Sequence, residues 1–230
     1  MFDPADGAPA AVIDAGEVTA IRTACASAAA TDALALPDAR TLAILGTGEQ
    51  AWQHAVAVPL VRSIDTIRIW GRSPDKAQSL ARRIQAELGI AAYAASSVAD
   101  AVAGASIVCT TTAAAEPVLR SADVADGTHI NLVGSSRAGP AEIDNALVAR
   151  ARFVPDHRDG VLAQGAEFLR ARDAGLITDA HVLPEIGTVF AGLSPGRVGP
   201  RNVTIYKSLG SIVQDLACAR YLADANFASR

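Results

Sequence analysis

Lysine is scarce here: of the 20 basic residues in this 230-residue chain, only Lys76 and Lys207 are lysines. The arginines that make up the rest are scattered among 24 acidic residues, for a net charge of -4. No stripe of cations forms, which excludes a surface built to track a nucleic-acid backbone. Cysteine is equally sparse. Cys25, Cys109 and Cys218 lie far apart with no C-x-x-C spacing, which excludes a disulfide framework and suits buried thiols in a reducing compartment. No cluster of metal-ligand residues, internal repeat or low-complexity segment occurs, so no metal is expected. No apolar run long enough to span a bilayer is free of Gly, Pro or charge. The opening MFDPADGAP has neither a positive n-region nor an apolar h-region, and the expected location is the cytoplasm.

What is present describes an ordinary globular protein with a sizeable core, 50% hydrophobic and 19% charged. Its most informative stretch runs from Thr41 to Arg72. Leu42 to Leu45 is a short apolar run that reads as a buried strand. The turn after it, Gly46-Thr47-Gly48-Glu49-Gln50-Ala51, fits the G-x-G-x-x-G/A fingerprint of a dinucleotide-binding strand-turn-helix unit. Gly46 permits the tight turn, Gly48 lets the backbone approach a pyrophosphate, and small Ala51 lets the following helix pack against its strand, with the helix N-terminus facing the anion.

The next strand, Thr66 to Trp70, ends in Gly71-Arg72-Ser73. An NAD-selective site places a carboxylate about 20 residues past the glycine turn to accept the ribose 2′-hydroxyl. A guanidinium cannot accept that hydroxyl, but it grips a 2′-phosphate bidentately, and Ser73 adds a hydrogen bond. The expectation is therefore NADP(H), with NAD(H) as the alternative.

Strand and helix signals alternate through the chain. They predict a short strand at Ala10 to Ile13, a helix over Glu17 to Leu36 and a first βα unit whose helix bends or ends near Pro59. A second helix follows, capped by Ser73, entered through Pro74 and ended by Gly89. Further strands are expected at Ala91 to Ala94, Ala105 to Thr110, His129 to Val133, Phe153-Val154 and Val203 to Tyr206. Helices are expected at Val98 to Ala103, Glu142 to Arg150, Asp159 to Ala174 and Ser208 to Leu222. Such alternation gives an α/β fold with a doubly wound parallel sheet, whose ligands lie beyond the carboxyl ends of the strands. That rule puts Thr111, Thr112, Val133, Gly134 and Ser136 in the same crevice as Gly46. On composition alone Arg22 is a surface charge, His157 is a structural histidine, and Lys207 is either exposed or of interest at its strand-to-helix turn.

Several separated segments together resemble the ornithine cyclodeaminase and mu-crystallin family. They are Arg22-Thr23 in a small-residue helix, GTGEQA, WGRS, TTTAAAEPVL, GTHINLVGSSRAGPAEID and NVTIYKSLGSIVQDLA. The resemblance implies a Rossmann-type domain over residues 37–199. Residues 1–36 would be a remnant of a substrate and dimerisation domain, and residues 200–230 would return to it. It implies cofactor contacts from Arg22, Thr47, Gln50, Arg72, Ser73, Thr112, Val133 and Ser136. Ser136 and Lys207 become the candidates for catalysis, with Gly210 and Asp215 near the nicotinamide end or supporting it.

The family includes cyclodeaminases as well as reductases of imines and ketimines and amino-acid dehydrogenases. Cyclodeaminases have an Asp where this chain has Ser136, in a segment like GSDxPGKTE, and a hydroxyl near its ordinary pKa does not replace that base unaided. The resemblance therefore favours an NAD(P)H-dependent oxidoreductase acting on C–N bonds of a small amino or imino acid, working as a homodimer. Two other functions compete: an ammonia-eliminating cyclodeaminase, and a non-enzymatic NADPH-binding protein. The last is suggested because family members carry a further segment, ahead of the point where this chain begins, that supplies an Arg and a Lys to the substrate carboxylate.

Overall fold

A computed structural model describes residues 1–228. Seven strands, β1 Thr41–Leu45, β2 Thr66–Trp70, β3 Ala91–Ala94, β4 Ile107–Thr110, β5 His129–Leu132, β6 Arg152–Pro155 and β7 Thr204–Lys207, form one sheet in the order β3-β2-β1-β4-β5-β7-β6. Every pairing in it is parallel. The order reverses between β1 and β4, the arrangement of a doubly wound Rossmann-type sheet with its switch point there. Residues 204–207, beyond the domain boundary drawn at residue 200, thus contribute a strand between β5 and β6.

Strand alternation divides the core. Leu42, Ile44, Ile67 and Ile69 face one side, against Ala51 and Ala55 of helix α2 (Glu49–Ala57) and Ala77, Leu80, Ala81 and Ile84 of α3 (Pro74–Leu88). Ala43, Leu45, Val108, Ile130 and Ile205 face the other side, where α4 (Val98–Val102), α5 (Asn145–Arg150), α6 (Arg158–Gln164) and α7 (Ala166–Asp173) contribute Ala101, Leu147, Val161 and Phe168. Helix α1 (Ala15–Leu34), capped by Asp14, packs on α2, on β5 and on α9 (Ile212–Ala228). A short α8 (Ile186–Phe190) packs on α1.

Most expected elements form, with four corrections. No strand forms at Ala10 to Ile13: the segment has no neighbour to ladder with, Val12 is exposed, and only the isolated bridge Phe2–Pro9 occurs nearby. The helix expected from Glu142 begins three residues later, because Asp144 takes the capping position and accepts from Leu147 N. The helix expected over Asp159 to Ala174 is two helices, broken at Gly165, where a β-carbon would meet Val161 O at 2.8 Å. The last helix begins at Ile212, so Lys207 to Ser211 form an irregular passage out of β7. Among the described residues no helix is long and apolar enough to cross a membrane.

Candidate functional site

The carboxyl ends of β1, β2 and β4 are level: Leu45 is in register with both Trp70 and Thr110. The chain leaves all three strands at the same height, and the exits frame a crevice of about 320 Å³. It is lined by Gly46, Thr47 and Gly48 after β1, by Trp70 to Ser73 and Lys76 after β2, and by Thr111 to Ala114 after β4. Gly46 donates to Trp70 O at 2.8 Å and has φ +134°; a β-carbon there would lie 2.7 Å from Thr111 O. At Gly48 a β-carbon would meet nothing within 4 Å, so the backbone is open to the crevice. No side chain caps α2, whereas α3 on the next strand is capped by Ser73. The first N–H groups of α2 are therefore left for an anion. Ala51 is fully buried beneath them.

Arg72 is exposed and makes no ion pair among the described residues. Gln50, in the first turn of α2, donates through Nε2 to Ala20 O of α1 at 3.4 Å, while its Oε1 is buried without a hydrogen-bond partner among the described residues.

The exits of β4 and β5 are tied together by a residue that the sequence reading passed over. Glu142 is fully buried, and its carboxylate meets four donors. Oε1 accepts from Thr112 N at 2.6 Å and Thr112 Oγ1 at 2.7 Å; Oε2 accepts from Thr110 Oγ1 at 2.7 Å and Gly134 N at 2.7 Å. Burial pushes this carboxyl above its usual pKa, opposed by the threonine donors and by the charge of Lys207. Val133, buried at the end of β5, and Gly134 both donate to Thr110 O. Beyond them Ser136 is exposed and lines a smaller cavity of about 120 Å³ with Ala113, Gly134, Arg137 and Pro140. The hydroxyl of Ser136 has no hydrogen-bond partner among the described residues.

Lys207 is not the exposed lysine that its type suggests. It is fully buried; its Nζ stands 2.9 Å from Glu167 Oε2, also fully buried, in Coulombic contact without hydrogen-bond alignment, and donates to Ser135 O. Glu167 Oε1 accepts from the backbone N–H of Glu142 at 3.2 Å. Arg22 is likewise engaged away from the crevice. Its Nε lies 2.8 Å from Asp215 Oδ1, its Nη1 donates to Gln214 at 3.2 Å, and the guanidinium covers Gly210. Nε and Oδ1 are close without being aligned for a hydrogen bond, so this attraction is Coulombic. Asp156 closes the same turn, accepting from Leu209 N and Gly210 N, both at 2.7 Å. His157 caps α6 through Nδ1, the structural role that its context suggests.

The structure thus brings Gly46, Thr47, Gly48, Arg72, Ser73 and Thr112 to one crevice, with Gly134 and Ser136 lining the adjoining cavity beside Val133; Gln50 lines neither, its side chain being turned to α1. Arg22, Gly210 and Asp215 form a separate cluster between α1 and α9.

These features define a class, a Rossmann-type domain with an open crevice at the switch point of the sheet. The chain belongs to the ornithine cyclodeaminase/mu-crystallin family, whose family model matches residues 1–229. Ketimine reductase mu-crystallin of Mus musculus is 35% identical over 225 residues, covering 98% of this chain and 68% of the relative. The Thermococcus litoralis Delta(1)-pyrroline-2-carboxylate reductase, solved in complex with NADH and L-proline, superposes with a TM-score of 0.94 at 32% identity. That match covers 97% of this chain and 69% of the other. An archaeal alanine dehydrogenase, solved as a dimer with bound NAD, superposes with a TM-score of 0.94 at 28% identity and covers 99% and 70%.

Proposed function

We propose that this protein reduces the C=N bond of a small α-imino acid with a nicotinamide dinucleotide, NADPH in preference to NADH. The observation that carries the reading is the crevice at the switch point. An open Gly48, an uncapped α2 and an unpaired Arg72 there provide, in order, backbone access, an anion site and a cation some 20 residues further along the chain. When bound, the dinucleotide supplies the hydride. The chain's residues bind and orient it: the glycine turn and the α2 N-terminus hold the pyrophosphate, and Arg72, Ser73 and Lys76 hold the 2′-phosphate. The exits of β4 and β5, with Thr112, Val133 and Ser136, face the nicotinamide half.

The reductase and dehydrogenase relatives support this choice of chemistry, and so does Ser136, a neutral hydroxyl where the lyase reaction calls for a carboxylate. Lys207 is committed to Glu167 and Ser135 O, which leaves Arg137 as the charged residue beside Ser136 for a substrate carboxylate. We place residues 1–36 and the α9 segment in a substrate and dimerisation unit shared by two copies. The expected location is the cytoplasm, where Cys25, Cys109 and Cys218, all free thiols, remain reduced.

The test is incubation with cyclic imino acids and NADPH or NADH, followed by loss of the reduced-nicotinamide absorbance. Net oxidation, faster with NADPH, is expected. Ammonia release from ornithine with NAD and no net reduction would make the protein a cyclodeaminase; tight dinucleotide binding with neither reaction would make it a binding protein only. Arg72→Asp should weaken NADPH binding by about 2 kcal/mol, roughly thirtyfold, and change NADH binding little, because the new carboxylate repels the phosphate. Equal losses for both nucleotides would remove the 2′-phosphate from the role given to Arg72.

A further inference from the structure

We infer that Glu142, backed by the Lys207–Glu167 pair, is a positioning residue that locks the exits of β4 and β5 in one register and so fixes the surface against which a nicotinamide rests. The inference depends on the dinucleotide reading above and adds to it residues that never touch the ligand. In a doubly wound sheet the two halves each take one nucleotide. The glycine turn and Arg72 assign the adenosine side to the β1-β2-β3 half, which leaves the exits of β4 and β5 to the other nucleotide. Glu142 spans those two exits. One carboxylate oxygen accepts two hydrogen bonds from Thr112, and the other accepts from Thr110 and from Gly134 N.

The fit is tight enough to dictate the residue opposite. A β-carbon at position 134 would lie 2.4 Å from Glu142 Oε1 and 2.1 Å from Thr112 O, so only glycine admits the carboxylate. The backbone of Glu142 is held in turn. Its N–H donates to Glu167 Oε1, Glu167 Oε2 faces Lys207 Nζ, and Lys207 donates to Ser135 O, the residue before Ser136. The circuit therefore closes on the loop where it began. All three ionisable side chains are fully buried, and charges so placed persist only when each has partners, because an unpaired buried charge is strongly destabilising. None of the three reaches the solvent or the crevice, so their effect on a ligand passes through Thr112, Gly134 and Ser135.

The Glu142→Gln variant of the full chain tests this. A glutamine must turn its NH2 toward either Thr112 N or Gly134 N; the threonine hydroxyls rotate to compensate, but a backbone N–H cannot. One exit then loses its anchor. Binding is measured for whichever of NADH and NADPH the wild type holds more tightly, and for the matching ADP-ribose, which lacks only the nicotinamide ring. ADP-ribose affinity should stay within about twofold, while the dinucleotide Kd rises about tenfold and the nicotinamide fluorescence enhancement falls. Thr110→Val, which removes one hydroxyl donor to Glu142 Oε2 and leaves every backbone bond, should shift the dinucleotide Kd in the same direction by a smaller factor. It carries the test if Glu142→Gln does not fold. Unchanged dinucleotide binding in the variants overturns the inference, as does an equal loss of ADP-ribose binding, which would mark a general structural role. A wild type that binds neither ligand defeats the dinucleotide reading itself, and the positioning role with it.

Discussion

A methyl group added at Gly46 and one added at Gly89 meet opposite fates, although both glycines have positive φ. At Gly89, which closes α3 with φ +69°, the added atom meets nothing within 4 Å, so Gly89→Ala should cost only the backbone term, about 1 kcal/mol. At Gly46 the backbone term adds to a collision with Thr111 O, and Gly46→Ala should cost roughly 2 to 4 kcal/mol in urea unfolding. Equal losses at the two sites would mean that the exit of β4 yields freely and that the crevice wall is soft.

The same scale separates what the sequence discloses from what it hides. Gly46, Gly48, Arg72 and Ser73 are legible because their chemistry acts locally, through a turn, an opening or a cap. Glu142 is not, and Lys207 is so only in part. Glu142 reads as the first residue of a helix, and Lys207 stands out only by its place at a strand-to-helix turn; the convergence of the β4 and β5 exits on the one, and of α7 and the β5 exit on the other, gives each its partners.

At the scale of elements, α1 is fastened to the sheet by a polar seam as well as by the apolar contact of Ala30 and Leu34 with Val154 and Tyr206. Asn131 of β5 donates to Thr31 Oγ1 at 2.8 Å and is itself contacted by His129, and His54 of α2 meets Ser27 Oγ at 2.9 Å. His54 Nδ1 lies 2.7 Å from Gln50 O, which only accepts, so Nδ1 carries the proton and Nε2 accepts from Ser27. Burial lowers the pKa of His54 to about 4 and of His129 to about 3, from an ordinary value of 6.5. Both are neutral in the folded and unfolded chain above that value. As pH falls below it, the unfolded chain binds protons that the native state refuses, so stability is lost on acidification. Between about pH 6.5 and pH 5 the two should together remove roughly 3 kcal/mol, partly offset by the raised carboxyls of Glu142 and Asp156. Urea midpoints across that range measure it; a flat profile would show that the seam admits protons without opening.

β2, β3 and α3 match their expected bounds because cap, strand pattern and terminal glycine agree there. The strand expected at Ala10 to Ile13 fails because alternation specifies a strand only where a neighbour is available to pair with it, and availability is a property of the whole fold.

At the scale of the whole molecule the sheet is covered on both faces, but α1 and α9 are not. Ile13, Val18 and Ile21 face Ala217, Tyr221 and Leu222 across a cleft of about 620 Å³ between them. Ile212 is 82% exposed, Val213 69%, Leu216 56% and Tyr221 74%, so one side of α9 presents a continuous apolar surface to water. Scattered apolar residues need no cover, but a contiguous patch of this kind marks a surface that associates. The charges that α9 carries are paired: Asp215 with Arg22 of α1, and the exposed Arg220 with Asp224 one turn further on. The expected behaviour is association of two copies through the α1–α9 face, seen as a concentration-dependent rise in mass by light scattering. Leu216→Glu would place an unpaired charge in that face and should shift the equilibrium toward the monomer, without moving the urea midpoint of the sheet by more than about 0.5 kcal/mol. A wild type that stays monomeric at high concentration and binds no apolar dye would mean that the cleft closes on itself in solution, with α9 folding its apolar side against α1.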